Sequence, residues 1–138
     1  MASRLISDLH PSLQPLCQEF LARCIQVGIK AGISCTYRSS TEQDADYAQG
    51  RTAPGKVITN AKGGESPHNC MDSAGRAAAK AFDFFIYAAD FRHLDWDATD
   101  DRWKKAIAIG EELGLVSGST FDIKDNDHFE LSNWKTIN

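Results

Sequence analysis

Apolar positions recur at steps of three and four from Leu9 through Leu13, Leu16, Phe20, Cys24 and Val27 to Ala31, the spacing of one helical face. The pattern predicts an amphipathic helix over residues 9–31. Pro11 and Pro15 are tolerated early in it, Pro15 marking its true start, and Gly32 ends it. "ISCTY" (33–37) reads as a short strand, and the polar run that follows as a helix capped by Ser40 or Thr41 and stopped by Gly50. Residues 51–66 are loop-rich, with a short extended piece at 56–58. A strand is predicted over 79–87 and a helix over 98–114. In that helix Thr99 or Asp100 is the cap, Trp103, Ile107, Gly110 and Leu113 share a face, and Gly114 is the stop. "STFDI" and "DHFEL" read as two strands near a turn at 124–127. Helices do not alternate regularly with strands. The expected fold class is therefore α+β, with helices packed on a small, mainly antiparallel sheet, rather than a doubly wound parallel sheet.

One residue breaks the pattern. Asp83 sits between Phe82 and Phe84 in an otherwise apolar run, where aspartate is depleted and an unpartnered buried carboxylate is costly. Arg76 or Lys80 could pair with it; a divalent cation is the alternative. The chain has four histidines. His10 at a helix start and His93 in "FRHLDW" read as ordinary surface or hydrogen-bonded residues, whereas His68 follows "GGES" in a loop and His128 lies in "KDNDHFEL". A His/His/Asp set leaves zinc a fourth position for water, the layout of a catalytic site. Spacing alone does not join these residues, because Asp83 is 15 positions from His68 and 45 from His128.

Composition narrows the classes. A chain of 138 residues suits one compact domain, and 42% apolar residues supply a core without a metal or disulfide staple. The net charge of −4 and the lack of a basic patch argue against a nucleic-acid partner. The acids of the C-terminal third, Asp127 among them, read as solvated surface. Cys17, Cys24, Cys35 and Cys70 form no C-x-x-C pair and fit a reducing compartment, Cys17 and Cys24 as core residues on one helical face. No continuous apolar signal segment opens the chain and no run approaches ~18 apolar residues, so synthesis in the cytoplasm without membrane anchoring is expected.

The motifs "SPHN", "AKAFDF" and "DNDHFEL", in that order and preceded by "YRS…Q…YAQGR", resemble the zinc D-Ala-D-Ala metallopeptidases, the VanX- and VanY-like family that includes phage L-alanyl-D-glutamate endolysins. The resemblance covers roughly residues 33–131 and implies a hedgehog/DD-peptidase-like fold. It implies one Zn2+ per chain held by His68, Asp83 and His128, with Asp125 as general acid or base and Arg38 facing the substrate. Gln43 and Ser66 are candidates to line the substrate site or support a ligand, with a helix-cap and a loop role as equal readings. Many members carry the acid seven residues after the histidine; the longer insert here makes Asp72 a rival ligand to Asp83. Asp125 reaches the metal face only if 124–127 is a turn or bulge, since alternation puts His128 and Glu130 on one strand face; Glu130 is the reserve base or an outer partner.

The implied function is a phage or prophage endolysin of one zinc peptidase domain spanning 1–138, with no separate wall-binding domain. It would act as a monomer on the peptidoglycan stem peptide, cutting L-Ala–D-Glu. It would wait in the host cytoplasm until a separate pore-forming holin admits it to the cell wall. The rivals are a D,D- or L,D-carboxypeptidase of peptidoglycan and a non-catalytic zinc-binding module of the same fold.

Overall fold

The computed structural model describes residues 2–138. Helix α1 spans Gln14–Gln26, with Pro15 in its first turn. It stops earlier than the periodicity predicts, because Gly28 takes a left-handed φ of 79° just past the end, the backbone that a helix stop needs. Gly32 instead lies inside strand β1, Ala31–Cys35, opposite Phe85. Helix α2, Ser40–Ala48, is capped one residue earlier than expected. Ser39 accepts a hydrogen bond from the Glu42 N–H while the Glu42 carboxylate accepts one from the Ser39 N–H, a reciprocal box. No strand forms at 56–58. Strand β2 covers Ala81–Tyr87, β3 is the two-residue Leu94–Asp95, and helix α3, Asp101–Glu112, is capped by Asp100.

Strand β4 is Leu115–Ser117 and β5 is His128–Leu131. The expected strand "STFDI" is not one. Ser117 caps a 3-10 turn over Gly118–Thr120, and the Gly118 carbonyl accepts from both Phe121 and Asp125, so these groups serve a turn rather than a ladder.

The sheet is antiparallel throughout, in the order β1-β2-β5-β4. Ile86 pairs with Ala31 on one side and Asp95 on the other, so β3 continues the β5 side of β2. One sheet face carries the core. Phe82 and Phe84 of β2 and Phe129 of β5 pack on Phe20 of α1 with ring centroids 5.0–5.7 Å apart, and Trp103 of α3 lies 5.0 Å from Phe84. Cys17 and Cys24 lie in the same core; burial pushes both thiols up to about 12. Among the described residues no helix is long and apolar enough to cross a membrane.

Candidate metal centre

The other face of the sheet is polar at one point, and strand register explains why. Residues directly opposed in an antiparallel pair point to the same side. Asp83 is opposed by His128 of β5 and by Cys35 of β1. Continuing the β1–β2 register from Ile33↔Phe84 would place Ser34 opposite Asp83. An irregularity between Ile33 and Cys35 adds one residue and puts Cys35 there instead. Phe82 and Phe84 therefore face the core while Asp83 faces away from it.

His68 reaches this point from a loop. Pro67–Asn69 form a 3-10 turn capped by Ser66, whose hydroxyl accepts the His68 N–H at 3.2 Å. The turn is tied to the chain leaving β1: the Arg38 N–H donates to the His68 carbonyl at 2.9 Å and the Asn69 amide donates to the Arg38 carbonyl at 2.8 Å. The His68 ring is buried, and its Nδ1 lies 2.7 Å from the Thr36 carbonyl, to which it donates. That fixes Nε2 as the free donor atom.

Three atoms converge. His68 Nε2 is 3.2 Å from Asp83 Oδ1 and 3.2 Å from His128 Nδ1, and His128 Nδ1 is 3.1 Å from Asp83 Oδ1. Tetrahedral zinc with bonds of about 2.0–2.1 Å has ligand–ligand edges of about 3.3 Å, so this donor set fits zinc in size and in chemistry. His128 Nε2 lies 2.8 Å from Glu130 Oε1, a carboxylate–histidine pairing that orients the ring. Glu130 thus stands behind the histidine, on the shared strand face that alternation predicts.

Electrostatics inside the cluster follow from its charges. Burial disfavours the Asp83 carboxylate, yet His68 and His128 outweigh it and hold its pKa well below the usual range. Burial likewise disfavours an imidazolium at His128, but Asp83 and Glu130 raise its pKa to about 9. His68 is raised in the same way, against its burial, chiefly by Asp83.

Asp125 does reach the metal face. A turn at 126–127, closed by the His128 N–H donating to the Asp125 carbonyl at 3.1 Å, brings Asp125 Oδ2 to 3.8 Å from His128 Nδ1, with half of the Asp125 side chain exposed. Gly118 seats this turn: a Cβ on it would lie 2.3 Å from the Asp125 carbonyl oxygen. Asp127 is not solvated as its composition suggested. It is half-buried, and burial, followed by hydrogen bonding to Asp125, pushes its carboxyl up to about 8.

Arg38 places Nη2 3.7 Å from Asp83 Oδ2 and is held by Asp46 at 3.4 Å and by the Gln43 side-chain Oε1 at 3.1 Å. Gln43 is buried and also donates to the Ala61 carbonyl, so it fastens both Arg38 and the 51–66 loop. Ser66 lines the cleft but spends its hydroxyl on the His68 turn. Arg38, Gln43, Ser66, His68, Asp83, Asp125 and His128 all border one cleft of about 850 Å³, walled by part of the 51–66 loop.

The rival residues fall elsewhere. Asp72 lies in a separate hollow, paired with Arg76 at 2.9 Å. Lys80 donates to the Trp134 and Ile137 carbonyls, so neither suggested cation neutralises Asp83. Arg51, the last residue of the "YAQGR" segment, stacks on Tyr47 and donates to the Tyr47 and Thr59 carbonyls. His10 contacts Ser12 and the Asn138 backbone, and His93 contacts Asp90. Cys35, given no role by the motifs, sits 3.7 Å from His68 Nδ1 and 3.6 Å from Arg38. It could complete a metal-binding group with His68 and Asp83. Only the register irregularity brings it there, and no periodicity in the sequence signals that.

A His/His/Asp cluster on a sheet face, open to a cleft beside a carboxylate and an arginine, is an arrangement that could hold a metal ion with a position left for water. Among known proteins, no family model matches the chain. The chain is 33% identical over 133 residues to the peptidoglycan L-alanyl-D-glutamate endopeptidase CwlK of Bacillus subtilis (strain 168), covering 91% of this chain and 74% of that protein. Its fold matches that of the Serratia marcescens L-Ala D-Glu endopeptidase ChiX with a TM-score of 0.63 and 16% identity, over 98% of this chain and 91% of that one. The chain belongs to the VanY-like zinc peptidase family of which CwlK is a member.

Proposed function

We propose that this protein is a zinc-dependent endopeptidase of bacterial peptidoglycan that cleaves the bond between L-Ala and D-Glu of the stem peptide. The observation that carries the reading is the convergence of His68 Nε2, Asp83 Oδ1 and His128 Nδ1 within 3.1–3.2 Å, beside Asp125. The choice of bond is supported by the similarity to CwlK. His68, Asp83 and His128 would hold the ion. Zinc bound there supplies Lewis-acid polarisation of the scissile carbonyl and acidifies water.

The chain's own groups do the rest. Asp125 accepts a proton from the attacking water and returns it to the leaving amine. Its position on a half-exposed turn lets it meet both groups. Arg38, a planar cationic fork held by Asp46 and Gln43, faces the open side and binds a substrate carboxylate or the developing oxyanion. Glu130 keeps the His128 ring oriented, and Ser66 keeps His68 in place. The "YRS…Q…YAQGR" segment favours the phage or prophage branch, in which the enzyme is a monomeric endolysin released to the wall by a holin.

The test is mass spectrometry of purified muropeptides digested with zinc-loaded protein. New D-Glu amino termini, lost in Asp125→Ala, support the proposal. Free D-Ala as sole product makes it a carboxypeptidase, and uncut muropeptides make it a binding module.

A further inference from the structure

Trp96 is 56% exposed, although tryptophan carries a large apolar surface. A lone exposed aromatic is unremarkable in itself; three observations set this one apart. First, the backbone beside it is pinned. The Asp95 carbonyl accepts the Trp103 indole N–H at 2.7 Å, and the Asp95 carboxylate accepts from Arg102 at 2.8 Å and from the Asp97 N–H at 2.9 Å. Second, one side of the indole is backed by Trp103, with centroids 5.8 Å apart and planes at 31°, so the ring is braced. Third, Trp96 walls a small hollow of about 210 Å³ whose other polar groups are Lys124, Asp125, Asn126 and Asp127. Asp125 and Asp127 also line the main cleft, so the two hollows meet across the turn that carries the general base.

A rigid aromatic face ringed by an amide, an ammonium and carboxylates suits a ligand with an apolar C–H face and hydroxyl or acetamido edges. That is the chemistry of a pyranose sugar, and the hollow has room for about one ring. Taking as given the endopeptidase reading above, we infer that Trp96 is a stacking platform for the glycan sugar that bears the stem peptide. The L-Ala amino group forms an amide with the carboxyl of a lactyl group that is ether-linked to that sugar, so a sugar must lie within about one residue's length of an L-Ala–D-Glu bond being cut at Asp125. The hollow beside Asp125 lies within that reach and offers a face for the sugar.

Steady-state cleavage of two substrates tests this: the bare stem peptide, and the same peptide on its N-acetylglucosaminyl–N-acetylmuramyl disaccharide. Trp96→Ala is expected to lower the ratio of kcat/KM on the glycan-bearing to the bare peptide about five- to tenfold, mainly through KM, with Trp96→Phe restoring most of it. An equal fall on both substrates, or none on either, overturns the inference. NMR supplies a readout that needs no cleavage: the Trp96 indole N–H resonance of the wild-type protein should shift on addition of the peptide-free disaccharide. An unmoved resonance in a protein that still cleaves overturns the saccharide site alone. A shifted resonance in a protein that cleaves neither substrate overturns the endopeptidase reading and leaves the site standing.

Discussion

The two faces of strand β2 are built from alternate residues of one stretch and obey opposite rules. Phe82, Phe84 and Ile86 are fully buried against α1 and α3, and their neighbours are interchangeable in kind: Phe20, Phe129 and Trp103 fill space. Asp83, one position away, has neighbours fixed in identity and to a few tenths of an ångström: His68, His128, Arg38 and, through His128, Glu130. The apolar face supplies the free energy that the polar face spends, because clustering buried carboxylates and imidazoles is not favourable for its own sake. Stability and chemistry are thus separated by a rotation of half a pleat, and substitutions on the two sides should fail in different ways.

The largest expected effect lies on the polar side. Asp125→Ala should lower kcat by about 10²–10⁴-fold while leaving the thermal midpoint unchanged, since its side chain is half exposed and supports no core contact. Parallel muropeptide kinetics and calorimetry check this, and a lowered midpoint would mean that the faces are not separable. Phe84→Ala is the mirror case: removal of a fully buried ring in contact with Phe20, Phe129 and Trp103 should cost about 3–5 kcal/mol in denaturant unfolding.

A subtler comparison uses Glu130→Gln. It keeps the size of the side chain but removes the charge that orients His128, and should weaken zinc binding about 10–100-fold in chelator competition with little change in unfolding free energy. The smallest effect concerns a titratable group inside the apolar face. The Cys17 thiol ionises near 9.0 when unfolded and is pushed up to about 12 by burial. The unfolded chain therefore gives up its proton first, and stability falls as pH rises from 9 towards 12. Between pH 9 and 11 the wild type should lose about 1 kcal/mol more per pH unit than Cys17→Ala, measured by urea unfolding.

The sequence reveals the polar face better than the scaffold around it. An aspartate amid phenylalanines contradicts strand chemistry, and that conflict marks Asp83 before any fold is known. The turn-forming "KDND" run marks Asp125 as able to leave its alternation, which the His128-to-Asp125 hydrogen bond accomplishes. Less legible are features set by distant pairing or by a choice among competing local caps and turns. Cys35 beside His68 depends on one extra residue in the β1–β2 ladder, Ser39 rather than Ser40 caps α2 because Glu42 reaches back to it, and "STFDI" loses its strand to the Ser117 and Gly118 turn. Asp127 looks solvated by composition and is half-buried because the turn folds it against Asp125 and the hollow walled by Trp96. For Cys35 and for Asp127 beside Trp96 the deciding contact is remote in sequence; for the Ser39 cap and the Ser117–Asp125 turn it is local, but neighbouring residues offer competing caps and turns.

The central claim is that the polar face of β2 is a zinc centre completed by Asp83 and not by Asp72. Elemental analysis of metal bound per chain, on folded wild type, Asp83→Asn and Asp72→Ala after zinc loading and desalting, tests it most directly. One zinc per chain in wild type and Asp72→Ala, with little or none in Asp83→Asn, is the predicted result. Full zinc in Asp83→Asn, its loss in Asp72→Ala, or none in the wild type would contradict the account.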